Sequence, residues 1–278
     1  MNIAVDIGNT RLKCGIFLPN GTIKVYLLPN PTKKDRPYRC SLRRRFLRWD
    51  MLPHYAEVLA ENYPEPITWK VARTGSFPWQ DLREKMLDIV KKRPRDTIQF
   101  LTRNRIPLKI NADSPGKIGI DRLLAAFAAV TKYGDAPMLI VDAGSAITVD
   151  VVQYRTFCGG AILPGLVAQS EMYPKISEKL PLVPISDSFL TNSPVYPGKN
   201  TKAAIRNGLY WGTIGAIRQF YEMFSQTDNT RLILTGGDAK YLFFGLISVI
   251  PRHTKCHNTL VLRRETLVLE GINLCGEE

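Results

Sequence analysis

Hydrophobic positions follow two rhythms along this chain. Near the start, apolar and polar residues alternate in short runs, which predicts strands over 2–6, 11–18 and 22–28. Asn20-Gly21 is a strong turn pair between the second and third runs, so these strands form a β-meander. Pro29, Pro31 and Pro37 then mark a loop, and 42–59 has mixed helical spacing interrupted by Pro53. Strands are expected at 67–72 and 97–101. Between them, 80–90 reads as an amphipathic helix with Leu82, Met86, Ile89 and Val90 on one face. A polar, proline-containing connection covers 105–117.

The second half repeats the scheme. An Ala- and Leu-rich helix at 120–132 precedes strands at 138–142, 146–153 and 157–162. Pro164-Gly165 leads into a helix at 166–178, and a proline-rich loop runs from Pro181 to Pro197. A long helix at 201–224 is followed by a strand at 231–235, closed by Gly236-Gly237, and by helices at 238–246 and 265–274. Three strands followed by alternating helix and strand, twice over, imply an α/β fold with a mixed sheet in each half. The boundary is placed between Lys109 and Gly119, dividing the chain into 1–113 and 114–278.

A short motif sits at the same place in both halves. Asp6-Ile7-Gly8-Asn9-Thr10 ends the first apolar strand, and Asp142-Ala143-Gly144-Ser145 ends Met138-Leu139-Ile140-Val141. Each is followed by another strand-like stretch. An Asp at a strand end can hold a cation directly or through water. Gly8 lets a phosphate approach the backbone, Asn9 and Thr10 add amide and hydroxyl donors, and Lys13 can reach the same phosphates as a point charge. Asp142, Gly144 and Ser145 offer the corresponding groups. Two copies in matching contexts suggest related half-domains facing each other across a nucleotide triphosphate, and so phosphoryl transfer; two ordinary hairpin turns are the alternative. There is no G-x-x-x-x-G-K-[ST], and no G-x-G-x-x-G after the first strand. Gly236-Gly237 is either a plain turn or a place where a base or ribose packs. Asp121, in Gly119-Ile120-Asp121-Arg122, is either a helix-start carboxylate or a general base. Arg122 beside it can grip a carboxylate with its planar fork.

Composition adds limits. The chain has 278 residues, of which 45% are hydrophobic, so a core can be buried. No apolar stretch is long enough to cross a bilayer, and Asp6 inside the first apolar run does not fit a secretory signal; a cytoplasmic protein is expected. Five cysteines at wide spacing, with no C-x-x-C, argue for reduced thiols. His253, Cys256 and His257 lie close together in sequence but lack a partner cluster. The formal net charge is +13, concentrated at 33–48 and at Lys91, Lys92, Arg93 and Arg95. Such a balance attracts anions in general. No DNA- or RNA-binding motif accompanies it, so solvated faces are preferred over a nucleic-acid partner.

Five segments in order now carry a resemblance: Asp6 to Lys13, Gly119 to Arg122, Asp142 to Thr148, Gly159 to Gly165, and Gly198-Lys199-Asn200-Thr201. Together they resemble the type III pantothenate kinase family, strongly at the first strands and from Gly119 onward. The resemblance implies an acetate kinase/sugar kinase/Hsp70/actin-type fold with two ribonuclease H-like halves. It implies ATP-dependent phosphorylation of pantothenate, the first step of coenzyme A synthesis, by a homodimer that uses magnesium and a monovalent cation, potassium or ammonium. Carried over by motif, Asp121 resembles the general base. Gly119, Ile120, Arg122 and Thr201 resemble pantothenate contacts. Asp142 resembles the monovalent-cation ligand and Ser145 a nucleotide contact. Asp6, Ile7, Gly8, Asn9, Thr10, Arg11, Leu12 and Lys13 resemble the phosphate loop, with Asp6 a magnesium ligand, directly or through water.

Three positions depart from the pattern. The family often has an aromatic residue where this chain has Ala112, and many members have Thr where it has Ser145 and Ile147. The arginine-rich stretch at 43–48 is also unlike the family. Ala112 motivates a second hypothesis, a kinase of the same fold acting on another small hydroxy acid or amide. The basic segment motivates a third, a catalytically weak regulator that binds nucleic acid.

Overall fold

The computed structural model describes residues 1–8, 11–29, 62–75, 79–186, 193–225, 229–250, 253–254, 257–258 and 260–276. The arginine-rich segment at 33–48, the expected helix at 42–59, Asn9, Thr10 and Cys256 lie outside them, as do the side chains of Arg11, His253 and His257.

Contacts divide the chain into two units: one of residues 1–107, 116–128 and 266–278, the other of 108–115 and 129–265. A single cut at 113/114 was expected. The difference lies in helix 120–133 and the last helix. The backbone of Gly271 packs against the Leu124 carbonyl, where a Cβ would collide, so the start of the one helix and the whole of the other join the first unit.

The first unit holds a five-stranded mixed sheet in the order β3-β2-β1-β4-β5. Its strands are β1 Asn2–Ile7, β2 Arg11–Phe17, β3 Ile23–Pro29, β4 Thr68–Arg73 and β5 Thr97–Phe100. β1 runs antiparallel to β2 and parallel to β4. Strict alternation decides which side chains go where. Ile3, Val5, Ile7, Leu12, Trp69 and Val71 join Met86 and Ile89 of helix α1 (Trp79–Lys92) in one buried cluster. On the other face, Gly15, paired with Ala4, lies against Leu269 of the C-terminal helix Leu267–Leu274. Lys70, fully buried on that face, donates from Nζ to the Asn273 carbonyl. Its ammonium thereby meets one of the helix's last, otherwise unpaired carbonyls.

The second unit holds six strands in the order β13-β10-β7-β8-β9-β6. They are β6 Lys109–Ile110, β7 Met138–Ala143, β8 Ala146–Gln153, β9 Thr156–Pro164, β10 Arg231–Thr235 and β13 Leu260–Arg263; a separate pair, β11 His253–Thr254 and β12 His257–Asn258, forms a small antiparallel ladder. Five of the six repeat the first sheet: an antiparallel meander whose first strand pairs with a parallel strand, which in turn pairs with a second parallel strand. The core of this unit lies between that sheet and two of its helices, α4 (Thr201–Phe224) and α5 (Ala239–Val249), with Ile205, Leu209, Ile214, Ile217, Leu242 and Leu246 buried. Helix α2 is Ile120–Tyr133, α3 is Leu166–Ile176 with Pro174 inside it, and α6 is the C-terminal helix.

Four strands were not expected: β6, β13 and the pair β11 and β12. β6 lies in the supposed polar connection and pairs for two residues with β9; β13 lies in a segment to which no element was assigned. Strands β6 and β13 lie at the sheet edges and are too short to show a period. Among the described residues no helix is long and apolar enough to cross a membrane.

Candidate active site

In the first unit the chemistry gathers where β1 ends. The register pairs Asp6 with Lys13 and Ile7 with Leu12 across the hairpin. Alternation sends Ile7 and Leu12 into the core, so any part they play in a phosphate loop belongs to their backbone. Asp6 points to the opposite face and is 4% exposed. Its Oδ2 lies 3.7 Å from Lys13 Nζ, an ion pair at the rim of the site. Its Oδ1 accepts a hydrogen bond from Thr74 Oγ1 at 2.7 Å. Gly8, half-buried, starts the turn.

Asp121 stands in the first turn of α2, and its Oδ1 accepts from the backbone N–H of Arg122 at 2.9 Å. A Cβ at Gly119 would run into that carboxylate, so glycine there lets the carboxylate fold back over the chain. Burial raises the Asp121 pKa above the usual aspartate range; the charge of Asp6 pushes the same way, while the Arg122 N–H opposes both. The capping and general-base readings of Asp121 are therefore compatible: one oxygen caps, and the environment makes the group a better proton holder. Ile120 is buried, and Arg122 is half-buried beside it. Arg103 Nε donates to the Ile118 carbonyl at 2.6 Å, pinning the entry to this turn.

In the second unit Asp142 takes the position of Asp6, next to last on its strand and paired with Thr148. The turn is one residue shorter than its counterpart. Three backbones converge on it. Gly144 N–H bonds Ala146 O at 2.9 Å, and Gly165 N–H bonds Ser145 O at 3.2 Å. A Cβ at Gly165 would meet the carbonyls of Gly144 and Ser145. Gly236, at φ +90, lies against Asp142 Oδ1 and the Ala143 carbonyl, which also accepts from Asp238 N–H at 2.9 Å. The Gly236-Gly237 pair thus belongs to the same turn cluster as Asp142. Ser145 is exposed at the tip. Thr201 opens α4, exposed, after Asn200 caps the helix by accepting from Ala203 N–H at 2.9 Å.

Sequence reasoning missed Thr74. The only signal was a hydroxyl residue just past the carboxyl end of a central parallel strand, where α/β sheets place ligands. Two thiols are held protonated: burial and the nearby Asp6 charge push Cys14 up to about 12, and burial pushes Cys275 up to about 11. Among the described residues no three metal-capable side chains cluster together. A divalent ion would therefore rest on one carboxylate plus phosphate and water, as magnesium commonly does. The hard oxygens of Asp6, nearly buried at the end of β1, fit that pattern.

The fold is that of the sugar kinase and actin type. A ROK family glucokinase from Streptomyces griseus, solved with glucose and AMPPNP, matches with a TM-score of 0.50 at 11% identity, covering 100% of this chain and 99% of that one. A conserved Baf family protein from Campylobacter jejuni matches with a TM-score of 0.53 at 20% identity, over 97% and 94% of the two chains. The sequence profile of type III pantothenate kinase matches residues 2–223. The chain belongs to the type III pantothenate kinase family. Relatives of that name include one from Rhodopirellula baltica, 36% identical over 51% of each chain, so that match spans about half the relative's length. Others run further: the Flavobacterium johnsoniae relative is 28% identical over 87% of this chain and 88% of its own, and that from Exiguobacterium sp. 26% identical over 100% and 98%.

Proposed function

We propose that this protein transfers the γ-phosphoryl group of ATP to the primary hydroxyl of pantothenate, giving 4'-phosphopantothenate and ADP, the first step of coenzyme A synthesis. The observation that carries the reading is Asp121: a carboxylate at a helix start, made a better base by burial and by Asp6. The family membership of the chain supports the acceptor.

Asp121 takes the proton as the hydroxyl oxygen attacks the γ-phosphorus and the bond to the bridging oxygen of ADP breaks. Phosphoryl transfer asks mainly for alignment and charge neutralisation. Lys13, paired with Asp6, is available to neutralise phosphate charge. Magnesium held at Asp6, directly or through water, would offset charge on the phosphates. By the family motif, Gly8, Asn9, Thr10 and Arg11 would offer backbone and side-chain donors to them. Ser145 contacts the nucleotide. Arg122 grips the pantothenate carboxylate, and Gly119, Thr201 and the backbone of Ile120 complete the acceptor contacts. Asp142, whose carboxylate lies against the Gly236 backbone, would hold a monovalent cation, potassium or ammonium. A homodimer and residence in the cytoplasm, where ATP is at hand, belong to the same proposal.

An acceptor screen tests it. Purified protein with ATP and magnesium should phosphorylate pantothenate in preference to other small hydroxy acids and amides, with product identified by mass and phosphorus NMR, and faster with potassium than with sodium. Preference for another acceptor would overturn the pantothenate reading and turn attention to Ala112.

A further inference from the structure

Asp6 is nearly buried, yet its orientation is not fixed by its own strand. The groups that fix it come from two neighbours. β2 brings Lys13, whose ammonium stands 3.7 Å from Oδ2, beyond hydrogen-bond distance. β4 brings Thr74. β1 and β4 are parallel, so their carboxyl ends lie at the same edge of the sheet, with Ile7 level with Arg73. One residue further, the backbone N–H groups of Thr74 and Gly75 both bond the Ile7 carbonyl, at 3.0 and 2.8 Å. These two hydrogen bonds to one carbonyl clamp the end of β4 onto the end of β1. It delivers the Thr74 hydroxyl to Asp6 Oδ1 at 2.7 Å, the distance of a charge-assisted O–H···O⁻ bond.

We propose that Thr74 is a positioning residue of the phosphate-transfer site: its hydroxyl engages Oδ1 of Asp6 and so turns Oδ2 towards the Lys13 side, where a divalent cation bound to nucleotide phosphate would be met. Thr74 touches neither substrate nor metal and acts only through Asp6. The consequence is specific. Asp6 acts as a single-oxygen donor with a fixed rotamer, and the hydroxyl, rather than the bulk of residue 74, is the operative group. This rests on the reading of Asp6 as the phosphate-loop carboxylate.

The test compares Thr74→Val, which keeps the shape and loses the hydroxyl, with Thr74→Ser, which keeps the hydroxyl. Thr74→Ala, lacking the hydroxyl without a second methyl, answers the same question if the valine variant misfolds. The first readout is binding of Mn2+ with the non-hydrolysable analogue AMPPNP, followed by electron paramagnetic resonance. Loss of an outer hydrogen bond to a metal ligand should weaken Mn2+ about tenfold in the valine and alanine variants, with serine near wild type. The second readout is steady-state kinetics: the same variants should lose kcat while KM for pantothenate stays unchanged, and serine should restore kcat. Equal Mn2+ binding by Thr74→Val and wild type would overturn the proposal. So would a serine variant as defective as valine, or wild-type protein that binds no Mn2+ with the analogue. If the Mn2+ split between serine and valine appears but pantothenate is not phosphorylated, the acceptor reading fails and this inference stands.

Discussion

The backbone N–H of Arg122 donates to Oδ1 of Asp121 at 2.9 Å, so the group proposed as general base also caps the helix that carries it. The two roles separate under mutation. Asparagine caps as well as aspartate but cannot take a proton at neutral pH. Asp121→Asn should therefore keep the fold and lose roughly 10²–10⁴-fold in kcat, the usual worth of a positioned base. Steady-state rates alongside circular dichroism check this.

The raised pKa of Asp121 makes a stability prediction of definite sign. Between the unfolded and the higher folded value the native state binds more protons, so the contribution to stability falls as pH rises through that window. Above it, wild type bears the cost of an ionised, buried carboxylate, mainly through desolvation and also through Asp6. Asp121→Asn should then melt higher than wild type at neutral pH. The difference should vanish below the ordinary aspartate range, where both side chains are neutral. Melting curves across pH read it directly.

Gly236 combines a φ of +90 with contact against Asp142 and the Ala143 carbonyl. Gly236→Ala is strained in conformation and in space, and should cost about 1–3 kcal/mol while displacing Asp142. Urea denaturation gives the first number. Loss of stimulation by potassium, with residual activity retained, would report the second.

Away from the site, Asp96 is a buried carboxylate that holds three elements. It accepts from Ile67 N–H at 3.0 Å, from Trp69 Nε1 at 2.9 Å and from Arg93 Nε at 2.7 Å. Asp96→Ala removes the counter-charge of a partly buried guanidinium, which keeps its bonds to the Tyr63 and Glu65 carbonyls, and strands two buried N–H groups, and should cost about 3–5 kcal/mol. Denaturant unfolding tests this, and a loss under 1 kcal/mol would contradict it.

Much of the fold was legible because alternation and turn chemistry carry it. Ile3, Val5 and Ile7 against Ala4 and Asp6 announce a sheet with two distinct faces, and Asn20-Gly21 announces the meander. Strands β6 and β13 were hidden because two and four residues at an edge carry too little period to read. The division of the chain was hidden for another reason. That α2 begins in one unit and α6 returns to it depends on Gly271 meeting Leu124, a contact between residues far apart in sequence. At the site, the register sets Asp6 opposite Lys13 and puts Asp142 at the matching place on its own strand. The motif alone could not show that Ile7, Leu12 and Ile120 turn into the interior, nor that Thr74 supplies a hydrogen bond to Asp6 from a different strand.

The central claim is that Asp121 serves a pantothenate-directed phosphoryl transfer. It is tested most directly by ADP release from purified protein with ATP, magnesium and pantothenate, measured for wild type and Asp121→Asn, with potassium and without. The account predicts release by wild type that requires pantothenate, rises with potassium and is lost in the variant. Folded wild-type protein that releases no ADP in response to pantothenate, or a variant that releases it at the wild-type rate, would contradict it.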